Sequence, residues 1–132
     1  MSNIYATDRQ HNLEYGVYPA RYDVKRNFYR GLSGIIYLES LINTEIGLDK
    51  NSKQKIRRAI AYLMKGKYHP DEHLSGLYFG DAGVAVAISY AVASDLYTLN
   101  NTTKSFISKA LSKEPAWPDI MYGAAGQGIA AL

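Results

Sequence analysis

The sequence predicts an all-α protein built from stacked helical hairpins, and three observations carry that reading. First, a Gly-x-small-Gly pattern occurs three times, as Gly31-Leu32-Ser33-Gly34, Gly80-Asp81-Ala82-Gly83 and Gly123-Ala124-Ala125-Gly126. The leading glycines stand 49 and then 43 residues apart, and a regular spacing of that size is the signature of a repeat architecture. Second, each pattern opens a stretch fit for an apolar helix, and the stretches between have a different, amphipathic character. Third, no convincing set of strands interrupts this alternation.

The elements follow in order. Residues 1–27 read as an irregular N-terminal segment, and the Tyr-rich start from Tyr15 to Tyr29 is compatible with loop, short helix or edge strand. Three apolar helices are expected over Ile35–Ile42, Val84–Ala93 and Ile129–Leu132. Between the first two, Ile56, Ala59, Ile60 and Leu63 repeat at helical spacing over about 52–65 while Lys55, Arg57, Arg58 and Lys65 point elsewhere. Asn51 with Gln54 resembles a capping box for this helix, and Gly66 suits its C-terminus. A second amphipathic helix is expected over about 102–112, with Phe106, Ile107, Ala110 and Leu111 on one side, Asn100 and Asn101 before it and Pro115 beyond. In the third repeat Gln127-Gly128 replaces an aliphatic pair, so its helix is expected to start later. An all-round apolar helix must be covered on most sides, so the apolar helices belong inside and the amphipathic ones outside. Glycines at the head of each inner helix let the backbone turn sharply and neighbouring segments approach closely, which would crowd the three loops around one opening.

Composition sets bounds on function. Of 132 residues, 47% are hydrophobic, and 15 Lys+Arg against 12 Asp+Glu leave a net charge of +3. A charge so dilute argues against a dedicated nucleic-acid module. The absence of cysteine excludes disulfides and thiolate metal sites within the chain, and the cytoplasm is the default compartment. The first ten residues hold no apolar run suited to a signal peptide. The longest apolar stretch, Ala82–Ala93, is far shorter than the roughly 20 residues that span a bilayer, so no transmembrane segment is expected.

The stretches Gly76-Leu77-Tyr78-Phe79-Gly80-Asp81-Ala82-Gly83-Val84-Ala85 and Asp119-Ile120-Met121-Tyr122-Gly123-Ala124-Ala125-Gly126 resemble the repeat motifs of lanthionine synthetase C-like proteins, and Phe28 to Leu38 is a weaker copy. The wording is most similar to the cyclase domains fused behind a kinase domain, although no kinase signature is present. The resemblance implies an α/α toroid of roughly seven hairpins, of which residues 28–132 would form about three as an incomplete, truncated domain. It implies a cytoplasmic enzyme of lanthipeptide (lantibiotic) biosynthesis. In the family, zinc binds a cysteine of a precursor peptide, and the thiolate adds to dehydroalanine or dehydrobutyrine to form a thioether ring. The family's zinc ligands, two cysteines and a histidine, belong to later repeats, so the cofactor expectation for this chain is none, with zinc expected only in a full-length domain. No cyclase activity and no stoichiometric zinc are expected of the chain alone. The implied partners are the precursor peptide, the remaining toroid, a kinase or lyase domain, or a second copy meeting exposed inner-helix surface.

Asp119 fills the family position Asp-aliphatic-x-x-Gly-x-small-Gly, which is implicated in activity. A carboxylate beside a loop that opens on a shared cavity can orient a histidine or handle a proton, while Asp before a helix is also a common turn or capping residue. His69 and His73 flank Pro70, which disfavours a regular helix through both and hence a shared metal-facing side. The basic run from Lys50 to Lys67 suits an acidic peptide, a membrane surface or plain solvent. Twelve tyrosines suit a peptide or sugar groove. Two other classes therefore stay open: a helical-repeat peptide-binding module without chemistry, and an α/α toroid glycosidase with Asp71, Glu72 or Asp81 among its carboxylates.

Overall fold

The computed structural model describes residues 25–65 and 74–132. They form five helices: α1 (Leu32–Glu45), α2 (Lys50–Lys65), α3 (Asp81–Ala93), α4 (Asn101–Leu111) and α5 (Ala124–Ala131). The only β-type pairing among these residues is an isolated bridge between Leu74 and Gly80. The described chain is thus all-α. His69, Asp71, Glu72, His73, Gly66 and most of the Tyr-rich start lie outside the described residues.

The hydrophobic pattern explains how the helices pack. Helix α3 carries no strong polar face, and Ala82, Val84, Ala85, Ala87, Ile88 and Ala91 are all buried. It lies in the middle, packed by α1 on one side and α5 on the other, with α4 also against it. Helix α2 closes on α1 through Ile56, Ile60 and Leu63, which join Ile36, Val84, Ile88 and Leu96 in one core. Each fully buried Leu or Ile here contributes roughly 1.5–3 kcal/mol of transfer free energy. Arg57 Nε donates to the Leu96 carbonyl at 3.0 Å and so ties α2 to the turn after α3.

Four helix starts differ from the sequence reading. The inner helices begin at Leu32, Asp81 and Ala124, directly after the leading glycine of each pattern and three to five residues before the expected starts at Ile35, Val84 and Ile129. The third helix is not delayed by Gln127-Gly128: the buried Gln127 side chain donates through Nε2 to the Lys113 carbonyl at 2.7 Å, so a polar residue fits there without breaking the helix. The cap of α2 is Asp49 and not Asn51. Its carboxylate accepts from Ser52 N–H at 2.6 Å, and its carbonyl accepts from Lys53 N–H at 3.0 Å. A carboxylate also answers the positive end of the helix dipole, which a neutral Asn at the next-but-one position does not. Asn100, by contrast, caps α4 as its position suggests, accepting from Thr103 N–H at 2.9 Å.

Candidate functional site

Each inner helix is entered through a seven-residue loop, 25–31, 74–80 and 117–123, and the three loops share one backbone plan. The carbonyl of the first loop residue accepts from the first helical N–H: Leu32 to Lys25 at 2.9 Å, Asp81 to Leu74 at 2.6 Å, Ala124 to Trp117 at 2.8 Å. The leading glycines have φ of −131°, −126° and −138°, an extended conformation open to any residue. They are glycine for space. A Cβ on Gly31, Gly80 or Gly123 would run into the Lys25, Leu74 or Trp117 carbonyl respectively, the same group that receives the helix's first N–H. A Cβ on Gly34, Gly83 or Gly126 would meet the carbonyl of Phe28, Leu77 or Ile120 in the same way.

The loops are also joined side to side. Tyr29 N–H donates to the Tyr78 carbonyl at 3.1 Å, and Gly76, Leu77 and Phe79 donate to the carbonyls of Tyr122, Ile120 and Met121 at 2.9, 3.0 and 3.0 Å. The second glycines stand at these seams: a Cβ on Gly83 would come to 2.7 Å of Phe28 Cβ, and one on Gly126 to 2.6 Å of Leu77 N. Above the seams the rings of Tyr29, Phe79 and Tyr122 form a ladder, with centroids 5.4 and 5.1 Å apart and the second pair stacked at 15°. Tyr29, Tyr78, Trp117, Ile120, Met121 and Tyr122 leave this rim exposed and largely apolar.

Asp119 lies on the rim, exposed, with Oδ1 accepting from Tyr122 N–H at 2.6 Å. Asn27 holds the equivalent place in the first loop and makes the equivalent bond, accepting from Arg30 N–H at 2.9 Å. In the second loop the place belongs to Gly76, where any side chain would collide with the third loop at Met121, Tyr122 and Gly123. Asp119 is therefore a turn-forming residue whose second oxygen, Oδ2, makes no hydrogen bond among the described residues. Chemically it can accept a proton or a donor arriving at the rim.

Beneath the loops sits an ion triad that sequence reasoning missed. Asp81, the first residue of α3, receives the buried Arg26 guanidinium on Oδ1 and Lys113 Nζ on Oδ2 at 3.0 Å. One carboxylate thus fastens the first loop and the segment after α4 to the head of the central helix. Asp81 is thus an anchoring residue at the head of α3. Separations of 55 and 32 residues hide the triad from any local pattern. The aromatic ladder did leave a trace, since an aromatic stands one or two positions before every leading glycine.

Among the described residues the donor set does not suit zinc. The chain has no cysteine, and the described residues contain no group of three or more His, Cys, Asp or Glu able to hold a metal ion. No helix of the described residues is long and apolar enough to cross a membrane. No family model, curated protein or solved structure matches the chain.

Proposed function

We propose that this chain is part of a lanthionine synthetase C-like cyclase domain, contributing the first three glycine loops and inner helices of an α/α toroid. The observation that supports this most is the common register of the loops: three Gly-x-small-Gly turns with one backbone plan, joined edge to edge over adjacent inner helices. In such a domain the rim would receive the precursor peptide. The exposed aromatic and apolar side chains would lie along it, and Asp119 would present Oδ2 to a proton or donor group near the reacting centre. Zinc, when supplied by the rest of such a domain, activates the attacking thiol, and the described residues of this chain hold no group of three or more ligands for it.

A second reading, a peptide-binding helical repeat without chemistry, is favoured by the bond Asp119 already makes within its own turn. The two readings separate on the reading frame downstream and on activity. A Cys, then Cys-His, at later glycine loops and thioether formation from a dehydrated Cys-containing peptide, lost in Asp119→Asn, support the cyclase. Later glycine loops without those ligands, together with saturable peptide binding reported by the single Trp, Trp117, support the binding module. Paired carboxylates downstream would defeat both in favour of a glycosidase.

A further inference from the structure

Each inner helix repeats the same two faces, one looking back along the array and one looking forward. On α1 the stripe Ile35, Leu38 and Leu41 is exposed at 54, 56 and 38%. Val84, Ala87 and Tyr90, 49 residues on, hold the same places on α3 and look back at α1. Val84 and Ala87 are buried in the core with Ile36, and the Tyr90 ring meets that of Tyr37 at 4.7 Å. The forward face of α1 holds Ser33, Ile36 and Tyr37, and its counterpart on α3 is Ala82, Ala85 and Val86. Ser33, Ile36, Ala82 and Ala85 are buried. On α5 the matching residues, 43 places further, are Ala125, Gly128 and Ile129, and all three are exposed. A backward face is thus open on α1 and a forward face on α5. The loops carry the same polarity: each donates backbone N–H groups to the next in chain order, Tyr29 to Tyr78, then Gly76, Leu77 and Phe79 to the third loop. Among the described residues the carbonyls of Phe28, Tyr29 and Arg30 accept from no other loop. The N–H groups of Asp119 and Ile120, in the places of Gly76 and Leu77, donate to none.

We propose that copies of this chain join head to tail, the α5 end of one seated on the α1 end of the next. The contact continues an interface that the chain already makes twice within itself, α1 on α3 and α3 on α5. Ala125 and Gly128 keep the forward face of α5 as small as Ala82 and Ala85 keep that of α3, so a neighbouring helix can approach closely, and Ile35 and Leu38 are long enough to fill the space. The free N–H edge of the third loop then meets the free carbonyl edge of the first. Two α1 stripes packed on each other would bury the same aliphatic side chains but set carbonyl edge beside carbonyl edge and leave every donor unmatched. Because the two surfaces differ, a pair keeps one open end of each kind and a third copy can follow. This inference rests on the repeat geometry alone and survives failure of the cyclase reading.

The test is sedimentation velocity of the full chain and of two variants, each blocked at one end: Ile35→Lys/Leu38→Lys on α1 and Ala125→Lys/Gly128→Lys on α5. Each variant alone should stay at the monomer mass at concentrations where the unaltered chain associates. Mixed in equal amounts they should reach twice the chain mass and stop there, because each supplies the end that the other lacks. A second measurement covers the case in which a lysine variant fails to fold. The chain has no cysteine, so Leu38→Cys and Gly128→Cys chains can be mixed under oxidised glutathione. These two positions hold the places of Ala87 and Ile36, which share the core, and the mixed disulfide should exceed the half share that random pairing gives. An unaltered chain that stays monomeric would overturn the proposal and leave the two ends to a partner of different sequence. So would an α5 variant that associates as the unaltered chain does, a mixture that stays monomeric, or disulfides paired at random.

Discussion

Gly126 and Gly128 lie two residues apart in the same short helix, yet the structure asks opposite things of them. A Cβ on Gly126 would press on the Ile120 carbonyl and on Leu77 N, whereas one on Gly128 meets nothing within 4 Å. Gly126→Ala should therefore cost about 3 kcal/mol, because backbone on two sides must move. Gly128→Ala should stabilise by roughly 0.5–1 kcal/mol, because it relieves a helix of its most flexible residue. Urea melts of both variants check the pair, and equal effects would mean that the seam between the second and third loops is not close-packed. Asp119 can be dissected at the same scale. Asparagine already performs the turn bond at position 27, so Asp119→Asn should keep stability within about 0.5 kcal/mol while Asp119→Ala loses about 1 kcal/mol. Any larger effect of Asp119→Asn on activity then belongs to the charge and not to the fold. At Asp81 the carboxylate faces an Arg26 side chain that is only 3% exposed. Asp81→Asn removes the charge opposite a desolvated guanidinium and should cost about 3 kcal/mol, read in the same melts.

Helix α2 is begun by a carboxylate, and that makes its stability depend on acid. Hydrogen bonds from the Ser52 backbone and side chain hold the Asp49 carboxyl below the usual carboxylate range, with nearby Lys55 adding to the effect. A folded pKa below the unfolded one means that the stabilisation is present in full above the unfolded value, near pH 4. It is lost as pH falls through the folded value. Asp49→Asn should therefore flatten the acid limb of stability without moving its neutral plateau far, since Asn caps almost as well as Asp. Thermal melts across that acid range check this. The same helix shows where sequence reading stops. Its buried face was legible because Ile56, Ile60 and Leu63 repeat at 3.6-residue spacing, but its cap was read at Asn51, and only the observed bond from Ser52 N–H identifies Asp49 in that role. The inner helices were placed too late for a related reason. The first turns of α3 and α5, Asp81-Ala82-Gly83 and Ala124-Ala125-Gly126, hold no large apolar side chain to announce a helix. The glycines were legible because a missing Cβ leaves a mark in every copy. The Arg26–Asp81–Lys113 triad left none, because its members meet only once the helices are packed.

At the scale of the molecule, the inner helices are covered unequally. Helix α3 is enclosed by its neighbours, but α1 shows Ile35, Leu38 and Leu41 at 54, 56 and 38% exposure, a stripe at helical spacing on the side away from the core cluster. In a closed ring of hairpins such a flank is where the neighbouring hairpin would pack, which is what the cyclase reading asks of it. In a solution of this chain alone, the apolar surface on offer to α1 is that of a second copy, and burying three aliphatic side chains at about 25 cal/mol per Å2 favours weak association over a tight dimer once the entropy of docking is subtracted. The weight-average mass in sedimentation velocity should therefore rise gradually with protein concentration. Ile35→Lys/Leu38→Lys should return it to the monomer value with little loss of stability, because both side chains are more than half exposed already. A clean monomer over a wide concentration range would show that this flank is covered or tolerated as it stands, and would remove the main physical reason for expecting a neighbouring hairpin there.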